Sequence, residues 1–354
     1  MTLPECSLQS LPRETPGAAV ISLAEVVGFL GTPRAYPHRP ATVEVRETHM
    51  SWVFLTGSLA YKLKKPLRRP FLDLTTPDKR RHNCEEELRL NRRLADDIYL
   101  RVLPVRVGGG GELTLEADGE IVDWLVEMKQ LPAADMLDER IRQGRVGEEA
   151  IDAVAERLAA FYQAQPAQIA DGIAYLRHIR TESRINRALL LQPRFGLDGA
   201  ATVAVLDRVD ALVRRWSPAI RERISQGRIV EGHGDLRPEH VCLGHPPIII
   251  DCLEFDRRMR LLDPYDEIGY LGLECAFMGA DWIRPQLLGS LEEIIGHRPD
   301  PRLLATYAAF RATLRARICI AHLIDPDPME PQRWPDEARR YLAVATEECV
   351  MAGG

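Results

Sequence analysis

The feature that most constrains this chain is a change of hydrophobic period at Pro132. Before it, apolar residues alternate or run in short blocks: TVEVRE (42–47), WVFLTG (52–57), LAYKLKK (59–65), YLRVLPVRV (99–107), ELTLEA (112–117) and VDWLVEMKQL (122–131). Such runs read as strands. Gly57–Ser58 is a tight turn between two of them. GGGG at 108–111 is a hairpin turn and not a phosphate loop, because no helix follows it. One helix, about 77–95, interrupts the strands. Thr76 is its N-cap, Pro77 its first residue, and Asp78 sits at its positive end. Cys84, Leu88, Asn91 and Leu94 form its apolar stripe, with Glu87 on the same face. After Pro132 the spacing is helical at 136–144, 148–165, 173–192, 200–225, 303–323 and 335–351, broken only by β-type runs in 229–256. The pattern predicts an α+β chain in two lobes. A small antiparallel sheet with one main helix spans 41–130, and a larger, mostly helical lobe spans 131–354. A 1–40 extension precedes them, with a loose tail over 1–19 and a short helix over 21–30. A ligand belongs in the cleft between the lobes.

Four charged residues fall in an order that carries chemistry. Lys62 stands two residues after Ala60 in a strand, so both point to one face and the small Ala leaves room beside the amine. Glu86 or Glu87 on the helix is placed to pair with that amine. Asp235 lies in EGHGDLRPEHVCL (231–243), and Asp251 ends the apolar run of PPIIIDCLEFD sixteen residues later. Phosphoryl transfer from a nucleotide needs a cation on the phosphates and a carboxylate to orient or deprotonate the acceptor. It also needs a carboxylate for the metal that bridges the phosphates. Strand Lys, helix Glu, loop Asp and strand-end Asp follow the order of a kinase. Lys64 shares the face of Lys62 and rivals it; Lys65 points the other way.

These segments carry a resemblance. GHGDL followed by IDCLEFDRRMRLLDPYDE resembles the aminoglycoside phosphotransferase and choline kinase branch of the protein-kinase-like fold. ETHMSWVFLTGSLAYKLKKP, CEEELRLNRRL and YLRVLPV resemble a group of bacterial proteins with this domain. The likeness covers roughly residues 40–325. It implies ATP and Mg²⁺ as cofactors, and phosphate transfer to a small-molecule hydroxyl. Lys62, paired with Glu87, would hold the phosphates. Asp235 would be the catalytic base, with His233 beside it bracing the loop. Asp251 would bind Mg²⁺, assisted by Glu254. Glu127, Met128 and Lys129 would form the interlobe hinge whose backbone meets adenine. Asp263 and Asp266 would support the catalytic loop.

Two departures stand out. ETHMSW (47–52) occupies the place of a Gly-rich loop, so the phosphate cover must come from Thr48, His49 and Ser51. His240 stands where a metal-binding Asn is usual, five residues after Asp235. Imidazole suits Mg²⁺ less well than an amide oxygen. The alternative reading is therefore a nucleotide-binding pseudokinase or regulatory module. The RRMR run (257–260) either steers an anionic substrate or lets Arg260 brace the catalytic loop against Asp263. Arg311 and Arg315, four apart on one helix, read as a solvated basic face.

Composition excludes several classes. The chain of 354 residues carries a net charge of −6, which offers no basic field to nucleic acid or an anionic membrane. Its seven scattered cysteines have no zinc-site spacing. No long apolar run and no leader-like N-terminus occur, so the expected setting is a reducing cytoplasm. Cys242 and Cys252 read as small apolar fillers.

Overall fold

The computed structural model describes residues 21–69, 72–167, 171–324, 328 and 330–353. The tail expected over 1–19 lies outside them. The N-terminal part runs α1 (Leu23–Leu30), β1 (Glu44–Glu47), β2 (Ser51–Leu55), β3 (Leu59–Lys64), β4 (Arg68–Arg69) and β5 (Leu72–Asp73). Then come α2 (Pro77–Ala95), β6 (Tyr99–Val107), β7 (Leu113–Thr114) and β8 (Glu120–Lys129). Six of these strands form one antiparallel sheet in the order β1-β2-β3-β8-β6-β7. Ser22 and Glu25 close a capping box at the start of α1, and Thr76 caps α2 as expected.

Strand alternation sorts the side chains of β3. Tyr61 and Leu63 face a core with Phe54, Val105, Leu125 and the α1 residues Val26 and Leu30. Ala60, Lys62 and Lys64 take the opposite face by the period of two. The helix α2 contacts β8 and β6, and its Cys84 packs with Tyr99 and Val126.

The C-terminal part is helical. It holds α3 (Leu137–Arg142), α4 (Glu148–Ala164), α5 (Gly172–Leu190), α6 (Gly199–Ser225), α7 (Arg257–Arg260), α8 (Pro264–Phe277), α9 (Ile283–Ile295), α10 (Pro301–Ala321) and α11 (Arg333–Gly353). Short two-residue strands β9 (Val230–Glu231), β10 (Val241–Cys242), β11 (Ile248–Ile249) and β12 (Leu261–Leu262) sit between α6 and α8. β9 pairs with β12 and β10 with β11. These two ribbons fix the ends of the loops that carry Asp235 and Asp251. A large core of α4, α8, α9 and α10 side chains, including Leu158, Ile268, Leu287 and Leu303, backs the ribbons. This is the bilobal α+β architecture that the change of period implies.

Candidate active site

The strand lysine, helix glutamate and two aspartates meet in the cleft. Lys62 Nζ lies 2.9 Å from Glu87 Oε1 and 2.7 Å from Asp251 Oδ1. Glu87 is the pairing residue; Glu86 instead binds Arg89 and Arg260. Lys64 does not replace Lys62 but joins it. Its Nζ bonds Glu87 Oε2 and lies 2.5 Å from Glu254 Oε1. Burial alone would lower the Lys62 pKa, but Asp251, Glu87 and Glu254 outweigh it, so the amine stays charged. Burial raises the Asp251 carboxyl, and Lys62, His240 and Lys64 outweigh that, holding it well below the ordinary carboxylate range. Asp251 has φ +63°, a left-handed conformation that costs energy for a residue with a Cβ. Asn91 and Tyr99 hold that turn. Asn91 Oδ1 accepts from the Cys252 amide at 2.9 Å, and Tyr99 Oη accepts from the Asp251 amide at 3.2 Å.

The Asp235 loop is braced from below. The amides of His233 and Gly234 donate to Glu267, at 3.0 Å and 2.6 Å, and Tyr162 Oη donates to it at 2.7 Å. Glu267 is 1% exposed. A Cβ on Gly232 would stand 2.6 Å from Glu267 Oε2, and Gly234 has φ +92°. Both glycines of GHGD are thus required by this cradle. The sequence reading gave the bracing role to Asp263 and Asp266, and this is corrected. Asp263 caps α8 and binds Arg223, while Asp266 binds Arg311 through two bonds of 3.0 Å and 2.7 Å. Arg260 does brace the loop region, but through Glu231 at 2.9 Å and the Leu253 carbonyl at 2.9 Å, not through Asp263. Arg93 of α2 donates to the carbonyls of Glu231 and Gly232 at 2.9 Å each, which also holds the loop.

His233 cannot serve as a base. Its Nε2 donates to the Ile250 carbonyl at 2.8 Å, and its Nδ1 accepts from the Asp235 amide at 3.3 Å. Both nitrogens are spent, so the ring joins the Asp235 loop to the strand before Asp251. His240 bridges the two aspartates. Its Nδ1 donates to the Asp235 carbonyl at 2.8 Å, and its Nε2 lies 3.6 Å from Asp251 Oδ2. When the ring is neutral, Nδ1 carries the proton and Nε2 presents a lone pair toward Asp251.

Asp235 faces a cavity of about 1220 Å³. Its Oδ1 lies 3.5 Å from Tyr270 Oη, and its Oδ2 lies 3.9 Å from Arg237 Nη1. Burial alone would raise its pKa, but Arg237, His240, Arg315 and His233 outweigh it, so the carboxyl is held below the ordinary value. The Arg311–Arg315 face is not solvated as expected; along this cavity Arg315 is buried and Arg311 is part-buried. Spacing along α10 does not reveal this, because cavity and core both lie against the helix.

The residues expected at the hinge and the phosphate cover have protein partners of their own. Glu127, Met128 and Lys129 stay inside the sheet, in register with β3 on one side, and Lys129 N–H bonds the Ile98 carbonyl at 2.9 Å. The Glu127 carboxylate turns to Tyr61 at 3.0 Å and Arg101 at 2.5 Å, away from Lys62. The chain leaves the sheet beyond Gln130, whose N–H bonds Ser58. Thr48 Oγ1 accepts from the Ser51 amide at 3.0 Å and lies 2.9 Å from the Ser51 carbonyl, so these two residues close a turn on themselves. His49 accepts from Arg69 at 2.9 Å and lines the large cavity, edge-on to His322 at 5.3 Å.

Among the described residues no group of three or more acidic, His or Cys side chains could by itself hold a metal ion. Mg²⁺ keeps several waters and binds through one or two carboxylates plus substrate phosphates. The Asp251 side chain, 42% exposed, fits one such ion. The Glu254 side chain, 11% exposed and bound by Lys64, fits less well.

No protein-family model matches the chain. It is 30% identical over 317 residues to an uncharacterised protein of Mycobacterium tuberculosis strain H37Rv, covering 88% of this chain and 60% of that protein. An uncharacterised protein of Mycobacterium bovis matches to the same extent. The chain thus spans 60% of the length of these relatives. Solved structures give the fold. A choline/ethanolamine kinase family protein from Mesorhizobium loti superposes with TM-score 0.53 at 14% identity, covering 93% of this chain and 99% of that one. A choline kinase from Cryptosporidium parvum gives 0.53 at 9% identity, with 92% and 95% covered. The choline kinase LicA from Streptococcus pneumoniae gives 0.50 at 13% identity, with 87% and 94% covered. LicA has also been solved in complex with AMP. The chain has the protein-kinase-like fold of these kinases.

Proposed function

We propose that the protein is an ATP-dependent phosphotransferase acting on a hydroxyl of a small molecule. The observation that carries this is the Lys62–Glu87–Asp251 ion-pair chain, joined by His240 to an ionised Asp235 that opens onto the cavity. The AMP bound by LicA supports a nucleotide in the same cleft. In this reading Lys62 leaves Asp251 and donates to phosphate oxygens, while Glu87 keeps the amine in place. Mg²⁺, held by Asp251 with the nucleotide phosphates, would supply charge neutralisation. Asp235 accepts a hydrogen bond from the acceptor hydroxyl and aims its oxygen. Because Asp235 is held below the ordinary carboxylate value, it is a weak base. It orients the hydroxyl early and takes the proton only as the bond to phosphorus forms, which suits a loose transition state. The first backbone past the sheet, Leu131–Pro132, is where the base edge would be met.

The test is calorimetry of ATP with and without Mg²⁺, followed by ADP release against a panel of alcohols. Mg²⁺-dependent binding and acceptor-dependent ADP release are expected. His240 favours one second reading, a nucleotide-binding module without transfer. Metal-independent binding with no release against any alcohol would select it.

A further inference from the structure

The cavity beside Asp235 holds two arginines whose donors are only partly used. Most of its cationic wall is neutralised pair by pair. Arg311 has both bonds to Asp266, and Arg317 lies 2.8 Å from Glu182. Arg237 and Arg315 differ. They share Glu274, at 3.7 Å from Arg237 Nε and 3.2 Å from Arg315 Nε. Glu274 also accepts from Tyr341 Oη at 3.0 Å. Arg315 is 7% exposed, yet its one hydrogen bond is from Nε to Tyr341 Oη at 3.4 Å. Among the described residues its two amino groups have no hydrogen-bond partner, and neither is sealed from the cavity. Arg237 Nε is buried without a hydrogen-bond partner, its Nη2 pairs with Glu239, and its Nη1 lies 3.9 Å from Asp235 Oδ2. The two guanidiniums thus share Glu274, while Glu239 and Asp235 face Arg237 alone and the Arg315 fork meets no second carboxylate among the described residues. A buried donor left empty, as Arg237 Nε is, is costly, and a planar fork such as that of Arg315 matches a carboxylate or phosphate. Burial also raises the Glu274 pKa despite Arg315 and Arg237, so its compensating charge is weakly held.

We infer that the acceptor is an alcohol that also bears an oxyanion, a carboxylate or a phosphate, seated on Arg315 and Arg237. This rests on the phosphotransfer reading, in which Asp235 receives the hydroxyl; Arg237 Nη1, 3.9 Å from Asp235 Oδ2, places the oxyanion close to that hydroxyl. The binding site sets substrate class by charge, and a neutral or cationic alcohol would leave the forks unpaired.

Calorimetry tests it without turnover. Inorganic phosphate, sn-glycerol 3-phosphate and glycerate are titrated against glycerol and choline. The oxyanions bind and the other two do not; whichever of glycerol 3-phosphate and glycerate binds tighter identifies the group. Arg315→Gln weakens oxyanion binding about ten- to a hundredfold, and Lys62→Met leaves it. Arg237→Gln, on a part-exposed residue, repeats the loss if Arg315→Gln fails to fold by urea titration. Oxyanions binding no better than glycerol would overturn the inference. So would a loss that follows Lys62→Met and spares both arginine variants, which would put the oxyanion at the nucleotide phosphates. Oxyanion binding at Arg315 with no transfer from ATP would overturn the phosphotransfer reading and leave this site standing.

Discussion

Removing Glu267 separates loop bracing from chemistry. Its carboxylate receives the His233 and Gly234 amides and the Tyr162 hydroxyl in a site 1% exposed. In Glu267→Ala two backbone donors lose their acceptor inside the protein. Each unsatisfied buried donor costs about 1–3 kcal/mol, so the loss is about 2–6 kcal/mol, with about 4 kcal/mol expected. Glu267→Gln keeps one carbonyl oxygen and exchanges charge-assisted bonds for neutral ones, a loss of about 1–2 kcal/mol. Asp235 lies one residue past Gly234, so a displaced loop misplaces its carboxylate. A shift of about 1 Å lowers turnover by about a hundredfold. Urea titration gives the stability and coupled ADP release gives kcat. Asp263→Asn is the control, because it loosens the Arg223 pair without touching the loop; it lowers stability and spares kcat. If Glu267→Ala unfolds within about 1 kcal/mol of the parent, or keeps full kcat, the bracing account is wrong.

Other outcomes follow from the same geometry. Lys62→Met loses ATP affinity by calorimetry, whereas Lys64→Met chiefly loses stability, about 3–5 kcal/mol, because Glu254 and Glu87 are left with less cation than buried charge; the reverse pattern would exchange their roles. His240→Asn supplies an amide oxygen beside Asp251, so half-maximal activity is reached at lower Mg²⁺ than in the parent; an unchanged Mg²⁺ titration would remove His240 from the metal site. Asp235 and Asp251 are both held below their ordinary values. Their contribution to stability is therefore present above the unfolded value of about pH 4 and is lost as pH falls through the lower folded values. The acid limb of kcat/KM lies below about pH 5, and a limb between pH 5 and 8 that vanishes in Asp235→Asn would contradict the shift.

The sequence carried the fold through period alone. Alternation before Pro132 and helical spacing after it correspond to the six-stranded sheet β1-β2-β3-β8-β6-β7 and the helices from α3 onward. Lys62, Glu87, Asp235 and Asp251 were legible because each sits at a place set by strand or loop chemistry. What escaped was tertiary. Glu267 is one acid among several in DPYDE, and only the packing of α8 under the GHGD loop selects it. Arg237 and Arg315 meet across separate elements, so no spacing marks them. The backbone of Glu127, Met128 and Lys129 is held in register with β3, a pairing that a single apolar run does not reveal. Standing in the place of a Gly-rich loop does not reveal that the hydrogen bonds of Thr48 and Ser51 close on each other.

The central claim is that Asp235 aims an acceptor hydroxyl at a nucleotide phosphate. Asp235→Asn keeps the shape of the loop and removes the charge. Single-turnover transfer from radiolabelled ATP, with ATP affinity measured in the same preparation, tests it most directly. The account predicts unchanged ATP affinity and a transfer rate lower by about 10²–10⁴-fold. Transfer at the parental rate would contradict it.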